Sequence, residues 1–93
     1  MKRISKIKEW EIARKKLKIE YENRGITTCE LRFKGCWRNN ALGFHHRHKR
    51  LWYYSKPELL GDFDQTILCC NNCHQKIEND RELNRETFKR LRK

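Results

Sequence analysis

The sequence has little of what marks a secreted, membrane-bound or multidomain protein. It contains one proline and four glycines, and no internal repeat or low-complexity segment divides it into two domains. The basic opening segment Met1–Lys8 lacks the apolar run of a secretory signal. No stretch approaches the length of a membrane span. We therefore expect a single domain that resides in the cytoplasm and does not contact a membrane.

The hydrophobic core must also be small. Hydrophobic residues make up 37% of the 93 positions and charged residues make up 38%. Chains this short bury only a modest fraction of their surface, so many depend on a metal ion or on disulfide bonds. The five cysteines are the evident source of such support. In a reducing compartment, metal binding is favoured over disulfide formation.

The charge is strongly one-sided. Lysine and arginine number 23 against 12 acidic residues, which gives a formal net charge of +11. Four thiolates on one zinc ion would contribute about −2 and leave about +9. A charge of this size predicts a polyanionic partner, most commonly nucleic acid. The alternative is that dispersed lysines and arginines only keep the protein soluble.

The N-terminal part predicts a basic amphipathic helix over about 5–24 that stops at Gly25. Its apolar residues recur at spacings of three and four: Ile7, Trp10, Ala13, Leu17 and Tyr21. The basic residues of its other face are Lys6, Lys8, Arg14, Lys15, Lys16 and Lys18. These cations either contact a DNA backbone or are simply hydrated, because lysine neutralises phosphate without special geometry.

The middle of the chain predicts short, turn-rich elements. Residues 26–44 favour a cysteine knuckle and a short β-ribbon, and a strand from Leu42 leads into a histidine-rich turn. Ile67–Cys69 is a second short apolar strand. A helix follows and begins near Asn71 or Asn72.

The end of the chain predicts a last basic helix, Leu83–Leu91, with Asn84 as its cap. The helix completes a single domain. Its three parts are an N-terminal helix (1–25), a central core (26–80) and a C-terminal helix (81–93).

Four of the cysteines are spaced as ligands of one structural zinc ion. Cys70 and Cys73 form a CxxC pair, and Cys29 and Cys36 form a second pair. A tetrahedral thiolate site needs two such pairs from distant parts of the chain. Cys69 is expected to be a small core residue, because adjacent residues of a strand point to opposite faces. The alternatives are unrelated buried thiols, or a histidine in place of one cysteine.

A complete four-cysteine site leaves the histidines for another task. His45, His46 and His48 lie within four positions, and His74 directly follows the CxxC pair. A neutral imidazole is both a ligand for transition metals and a general base near neutral pH. Phosphodiester hydrolysis needs a cation on the phosphate and a base that deprotonates water. The alternative is that the first three histidines belong to a basic loop that only binds nucleic acid.

Together these motifs resemble the HNH endonucleases, and more narrowly the small cysteine-containing HNH proteins of bacteriophages. The matching blocks are Gly25–Glu30, Gly35–Cys36, Phe44–His48 and Ile67–Glu78. Paired cysteines, paired histidines and CxxCH in this order form a specific combination. The resemblance implies a small α+β fold with a ββα-metal core, in which two strands and a helix surround one divalent ion. The zinc site would hold this core, and the two terminal helices would flank it.

The resemblance also implies a role for each histidine. His46 would be the general base that activates water. His45 and His74 would bind a catalytic divalent metal: Mg²⁺, Mn²⁺, Ni²⁺ or Zn²⁺. Glu78, one helical turn after His74, is either a further ligand or a hydrated helix residue. The residues that would bind double-stranded DNA are Arg47, His48, Lys49 and Arg50.

One part of the family pattern is missing. The middle asparagine of the family lies several residues before CxxCH and holds the loop that carries the base, whereas Asp62–Thr66 contains no asparagine. Asp64 or Gln65 could replace it, since each has an oxygen that accepts a backbone or imidazole N–H.

The sequence thus predicts a metal-dependent DNA endonuclease, in the host cytoplasm if the protein is phage-encoded. One alternative is a non-catalytic zinc module that binds nucleic acid. The other is a zinc-stabilised adaptor for a larger phage or host assembly. The oligomeric state, the sequence preference and the choice between nicking and double-strand cutting have no signal in the sequence.

Overall fold

A computed structural model describes residues 6–92, which form helices, a two-strand sheet and short 3₁₀ turns. The helices are α1 (Lys6–Asn23), α2 (Asn71–Glu78) and α3 (Arg81–Leu91). The strands are β1 (Leu42–His46) and β2 (Thr66–Cys70). Between the strands lie the 3₁₀ turns Arg50–Ser55, Pro57–Gly61 and Phe63–Gln65. The chain therefore has the small α+β architecture predicted from the sequence.

Helix α1 buries one side against the rest of the molecule. Ala13, Leu17 and Tyr21 are buried and recur at the predicted helical spacing of four. Ile7, however, is 74% exposed, so its predicted place on the buried face is wrong. The reason is that the packed surface of α1 begins only at Trp10, which contacts two of the buried clusters.

Helix α1 ends at a left-handed glycine, as predicted. Gly25 has φ +74°, and the N–H of Ile26 donates to the carbonyl of Tyr21 at 2.9 Å. This closure is the Schellman pattern, which glycine allows without steric cost. Ser5, the predicted start of the helix, lies outside the described residues, and so does the side chain of Lys6.

Strands β1 and β2 pair antiparallel, with His45 opposite Ile67. His45 and His46 therefore belong to a strand, and their predicted place in a turn is wrong. The ladder continues through both histidines until His46 stands opposite Thr66. Because neighbouring residues of a strand alternate in direction, the two imidazoles have different neighbours.

Helix α3 begins at Arg81, so the predicted cap at Asn84 is wrong. The carboxylate of Asp80 accepts from the N–H of Leu83 at 3.0 Å and caps the helix instead. The positive end of the helix dipole favours a carboxylate at this position. Asn84 therefore lies inside α3, with its amide available for other contacts. The same helix contributes Phe88, which is 0% exposed, to the main core.

Arg92, directly after α3, joins the end of the described chain to three earlier segments. Its guanidinium pairs with both carboxylate oxygens of Glu30 at 2.7 and 2.9 Å. It also donates to the Tyr21 hydroxyl and to the carbonyls of Phe63 and Thr66, each at 3.1 Å. The Arg92 side chain is 3% exposed and that of Glu30 is 12% exposed, so this ion pair is buried.

Replacing Arg92 by methionine should lower the free energy of unfolding by about 3–5 kcal/mol, because Glu30 would be left buried without its counter-charge. Urea unfolding of the metal-loaded protein measures the change. Arg90→Met is the matched control, since Arg90 is exposed near the end of α3 and its loss should change stability by about 0.5 kcal/mol or less. Equal urea midpoints for the two variants would contradict the stabilising role of the ion pair.

Candidate metal centre and histidine cleft

The structure brings the four predicted cysteine ligands together. The Sγ atoms of Cys29, Cys36, Cys70 and Cys73 all lie within 4.8 Å of one another. Those of Cys36 and Cys70 are 3.9 Å apart. Four zinc–sulfur bonds of about 2.3 Å in a tetrahedron would separate the sulfurs by about 3.8 Å. The four cysteines are therefore placed to hold a metal ion, and their spacing fits zinc.

Backbone N–H groups point at two of these sulfurs. Cys70 Sγ accepts from the N–H of Trp37 at 3.3 Å and from that of Cys73 at 3.4 Å. Cys36 Sγ accepts from the N–H of Arg38 at 3.2 Å. Burial acts to raise the pKa of Cys70, but the hydrogen bonds to its sulfur outweigh burial and lower it to about 6. This shift favours the thiolate of Cys70, which is the form that binds metals.

Cys69 precedes Cys70 on β2 but is not a member of this group. The alternation of the strand turns its side chain to the other face, where it is 1% exposed. Burial, followed by the neighbouring thiols, raises the pKa of Cys69, so it remains a neutral thiol. Cys70, and not Cys69, is therefore among the four cysteines placed to hold a metal ion, as the sequence predicts.

A cleft of about 580 Å³ contains the histidines. One wall of the cleft is formed by β1 and the segment that follows it, and the other wall is formed by α2 and α3. The lining residues are Phe44, His45, His46, Arg47, His48, Lys49, Arg50, Leu60, His74, Ile77, Glu78, Arg81 and Asn84. The four histidines, the proposed carboxylate ligand and the three basic residues singled out in the sequence therefore share one cleft.

His45 and His74 lie side by side in this cleft. His45, on β1, is 7% exposed, and His74, in the first turn of α2, is half-buried. Their ring centroids are 5.1 Å apart and their planes are inclined by 68°. When two imidazole nitrogens bind one ion at about 2.1 Å with an N–ion–N angle of about 90–110°, the ring centroids lie about 4.6–5.3 Å apart. The observed separation fits two ligands of one cation.

Glu78 lies one helical turn after His74 on α2. Its side chain is exposed and lines the same cleft. Among the described residues, His45, His74 and Glu78 do not form a group as compact as the four cysteines. An ion held by the two imidazoles would therefore keep coordination positions open for water or substrate.

His46 is oriented by a backbone carbonyl. Its Nε2 lies 3.0 Å from the carbonyl oxygen of Leu60, and because a carbonyl only accepts, Nε2 carries the proton of the neutral ring and Nδ1 carries the lone pair. The ring packs edge-on against Trp10 and Tyr53, with centroids 5.0 and 5.3 Å away. Burial lowers the pKa of His46, which favours the neutral form.

Gln65 and Asp64 lie in the 3₁₀ turn before β2. The carbonyl of Gln65 accepts from the N–H of Arg47 at 2.9 Å, and its side-chain oxygen accepts from the Tyr53 hydroxyl at 3.1 Å. The same hydroxyl accepts from the N–H of His48 at 3.1 Å. Gln65 thus contacts the segment after β1 both directly and through Tyr53. Asp64 is half-buried and makes no hydrogen bond to that segment within the described part of the chain.

Asn84 is a residue of this cleft that sequence reasoning missed. Its Oδ1 lies 2.6 Å from Nε2 of His45, and its Nδ2 donates to the carbonyl of Arg47 at 3.0 Å. The contact with His45 spans 39 positions of the sequence, and the contact with Arg47 spans 37. No local pattern reveals them, because packing of α3 against the sheet decides which side chain reaches the cleft.

The basic segment after β1 is held partly by aromatic rings. The His48 ring stacks on Trp52 with centroids 4.1 Å apart. The guanidinium carbon of Arg50 lies 5.2 Å from the ring centroid of Trp10. Lys49 is exposed between them. The segment therefore presents cations at the edge of the cleft on an ordered support.

No protein-family model, characterised protein or solved structure matches this chain. Within residues 6–92, no helix has both the length and the apolar character that crossing a membrane requires. Function is therefore inferred from the chemistry of the two sites themselves.

Proposed function

We propose that the protein is a metal-dependent DNA endonuclease of the HNH type, which hydrolyses phosphodiester bonds. The observation that carries the proposal is the basic cleft in which His45 and His74 lie with ring centroids 5.1 Å apart. In the same cleft His46 is oriented by the Leu60 carbonyl. A pair of cation ligands and a fixed base in one cleft are what phosphodiester hydrolysis requires.

The chain order of the elements supports an HNH-type core. Strands β1 and β2 and helix α2 follow one another in ββα order. His45 and His46 lie on the first strand, and His74 lies in the first turn of the helix. A zinc ion on the four thiolates would be structural, because a complete cysteine site is closed to substrate. It would hold the start of α2, where Cys70 and Cys73 lie, and with it His74.

His45 and His74 would hold the catalytic divalent ion, and Glu78 is the candidate for a further ligand. Two imidazoles leave most of the coordination sphere to water and phosphate oxygens, as catalytic sites do. When bound, the ion would supply stabilisation of the charge that develops on the phosphate and on the leaving oxygen. Mg²⁺, Mn²⁺, Ni²⁺ and Zn²⁺ are the candidate ions.

In this mechanism His46 takes a proton from the attacking water. Its Nδ1 accepts that proton, since Nε2 donates to Leu60. Trp10 and Tyr53 hold the plane of the ring, and Gln65 holds the Tyr53 hydroxyl. The base is therefore positioned before substrate binds, which lowers the entropic part of the barrier.

Supercoiled plasmid incubated with the zinc-loaded protein tests the proposal. We expect nicked or linear DNA only after Mg²⁺, Mn²⁺ or Ni²⁺ is added, because the thiolate-bound ion has no open coordination position. Plasmid that stays intact with every ion, while the protein is folded and binds DNA, would contradict the endonuclease assignment.

A zinc-stabilised module that binds nucleic acid without cutting it is the second candidate function. The open spacing of His45, His74 and Glu78 favours it. A metal count separates the two functions. One zinc per chain, with no second ion bound at millimolar concentration, would indicate the binding module.

Replacing both Lys49 and Arg50 by alanine should weaken binding to double-stranded DNA and reduce its salt dependence. Each lost phosphate contact lowers the slope of log K against log salt by about 0.9, so the pair should lower it by about 1.8. Fluorescence anisotropy over a series of salt concentrations measures the slope. Lys15→Ala with Lys18→Ala removes the same charge from the exposed face of α1. An equal loss of slope in both double variants would contradict a specific role for the segment after β1.

A further inference from the structure

Asn84 has a place in the molecule that helix stability does not explain. It lies inside α3, where asparagine is one of the less favourable residues. Asp80 already caps the helix, so Asn84 has no capping role. Its amide instead contacts two groups of the cleft wall: Nε2 of His45 at 2.6 Å and the carbonyl of Arg47 at 3.0 Å.

The directions of these two hydrogen bonds follow from the Arg47 carbonyl. A carbonyl oxygen only accepts, so the amide nitrogen of Asn84 is the atom that faces it. The amide oxygen of Asn84 then faces His45, and an amide oxygen also only accepts. Nε2 of His45 must therefore carry a proton. In the neutral ring this leaves the lone pair on Nδ1.

We propose that Asn84 is a positioning residue that holds His45 as the Nε2–H tautomer and so reserves Nδ1 for a divalent cation. The inference rests on the proposed function, since it concerns the same cleft. Metal-binding histidines usually donate their second ring N–H to a nearby oxygen, which sets both the tautomer and the orientation of the ring. Here the oxygen comes from α3, whose buried Phe88 also lies against the His45 ring, with centroids 5.9 Å apart.

The tie to Arg47 gives Asn84 a second effect on the cleft. Arg47 directly follows His46 in the chain, and its carbonyl is held by Asn84 while its N–H is held by the Gln65 carbonyl. One side chain of α3 thereby fixes both a candidate cation ligand and the backbone next to the candidate base. The two contacts can be separated by substitution.

Asn84→Asp keeps an oxygen for Nε2 of His45 but has no N–H for the Arg47 carbonyl. Asn84→Ala loses both contacts. Loss of an outer hydrogen bond of this kind costs about 10–100-fold in metal affinity. We therefore expect Asn84→Ala to bind Mn²⁺ about 10–100-fold more weakly than the unsubstituted protein, and Asn84→Asp to bind it at least as tightly.

Two measurements on the zinc-loaded, ¹⁵N-labelled protein test the inference. The imidazole NMR spectrum should show a protected Nε2–H proton on His45 in the unsubstituted protein and in Asn84→Asp, and no such proton in Asn84→Ala. Mn²⁺ binding is followed by electron paramagnetic resonance. Mn²⁺ is the probe because this hard ion does not compete for thiolate ligands. We expect the two proteins that have the Nε2–H proton, the unsubstituted protein and Asn84→Asp, to bind Mn²⁺ more tightly than Asn84→Ala does.

A proton on Nδ1 of His45 in the unsubstituted protein would overturn the inference, and so would equal Mn²⁺ affinity in Asn84→Ala. The first of these outcomes needs no variant to fold. Neither measurement involves DNA. If His45 and Mn²⁺ behave as expected while plasmid stays intact, the endonuclease assignment fails and the role of Asn84 in a cation site stands.

Discussion

Cys70→Ser is expected to unfold the protein and to release its zinc, whereas Cys69→Ala is expected to do neither. The Cys70 sulfur is one of the four grouped ligand atoms and accepts hydrogen bonds from two backbone N–H groups. Structural zinc contributes about 10–16 kcal/mol to the folding of small zinc peptides. A core as small as this one leaves little to replace it. Cys69 lies beside Cys70 but outside the group, so its truncation should cost only about 1 kcal/mol.

Zinc content by elemental analysis and far-ultraviolet circular dichroism measure the two effects together. We expect one zinc per chain and a helical spectrum for Cys69→Ala, and neither for Cys70→Ser. A strong chelator added to the unsubstituted protein should reproduce the spectrum of Cys70→Ser. A Cys70→Ser protein that keeps its zinc and its helices would show that the cysteines do not carry the fold.

His46→Ala is expected to slow plasmid cleavage by about 10²–10⁴-fold, the usual contribution of a general base. The reason is that the water would have no acceptor for its proton at the place where His46 Nδ1 lies. DNA affinity should change little, since His46 is not one of the exposed cations. Initial rates of nicking, together with anisotropy on the same DNA, separate the two effects.

Free imidazole provides the control for this variant. Removal of the ring leaves space between Trp10 and Tyr53, and added imidazole should restore part of the lost rate by accepting the proton there. The alanine variant also loses packing. Its zinc content must therefore equal that of the unsubstituted protein, and its unfolding temperature must lie well above the assay temperature. Equal cleavage rates for His46→Ala and the unsubstituted protein would remove His46 from the mechanism.

The parts of the structure that follow from local pattern were predictable. The cysteine pairs, the glycine that ends α1 and the strand around Ile67–Cys69 each depend on residues close in sequence. Spacing alone also separated Cys70 from Cys69, because alternation along a strand is a local property.

The cap of α3 shows how two local signals compete. Asp80 and Asn84 lie four positions apart and either could cap a helix, so local propensity did not decide between them. The helix takes the earlier start, which also gives it one more hydrogen-bonded turn. That choice moves Asn84 from a cap to the wall of the cleft.

The contacts between residues far apart in the sequence lay beyond sequence reasoning. The Leu60 carbonyl that orients His46 is 14 positions away, and the Glu30 carboxylate that pairs with Arg92 is 62 positions away. Such partners depend on how the helices and strands pack, and neither composition nor local pattern predicts that packing. The inclusion of His45 and His46 in a strand has the same cause, since pairing with β2 rather than β-propensity places them there.

Cys70 ends strand β2 and, through its sulfur, caps helix α2, and His74 lies one turn further along the same helix. If His74 binds a cation as proposed, the two metal sites share one short helix and would be thermodynamically linked, and such linkage is reciprocal. A cation that gains affinity at His74 because zinc orders the helix must strengthen zinc retention by an equal factor. When zinc is scarce, the chains that have bound a cation at His74 would then be the last to lose the zinc from their cysteine site.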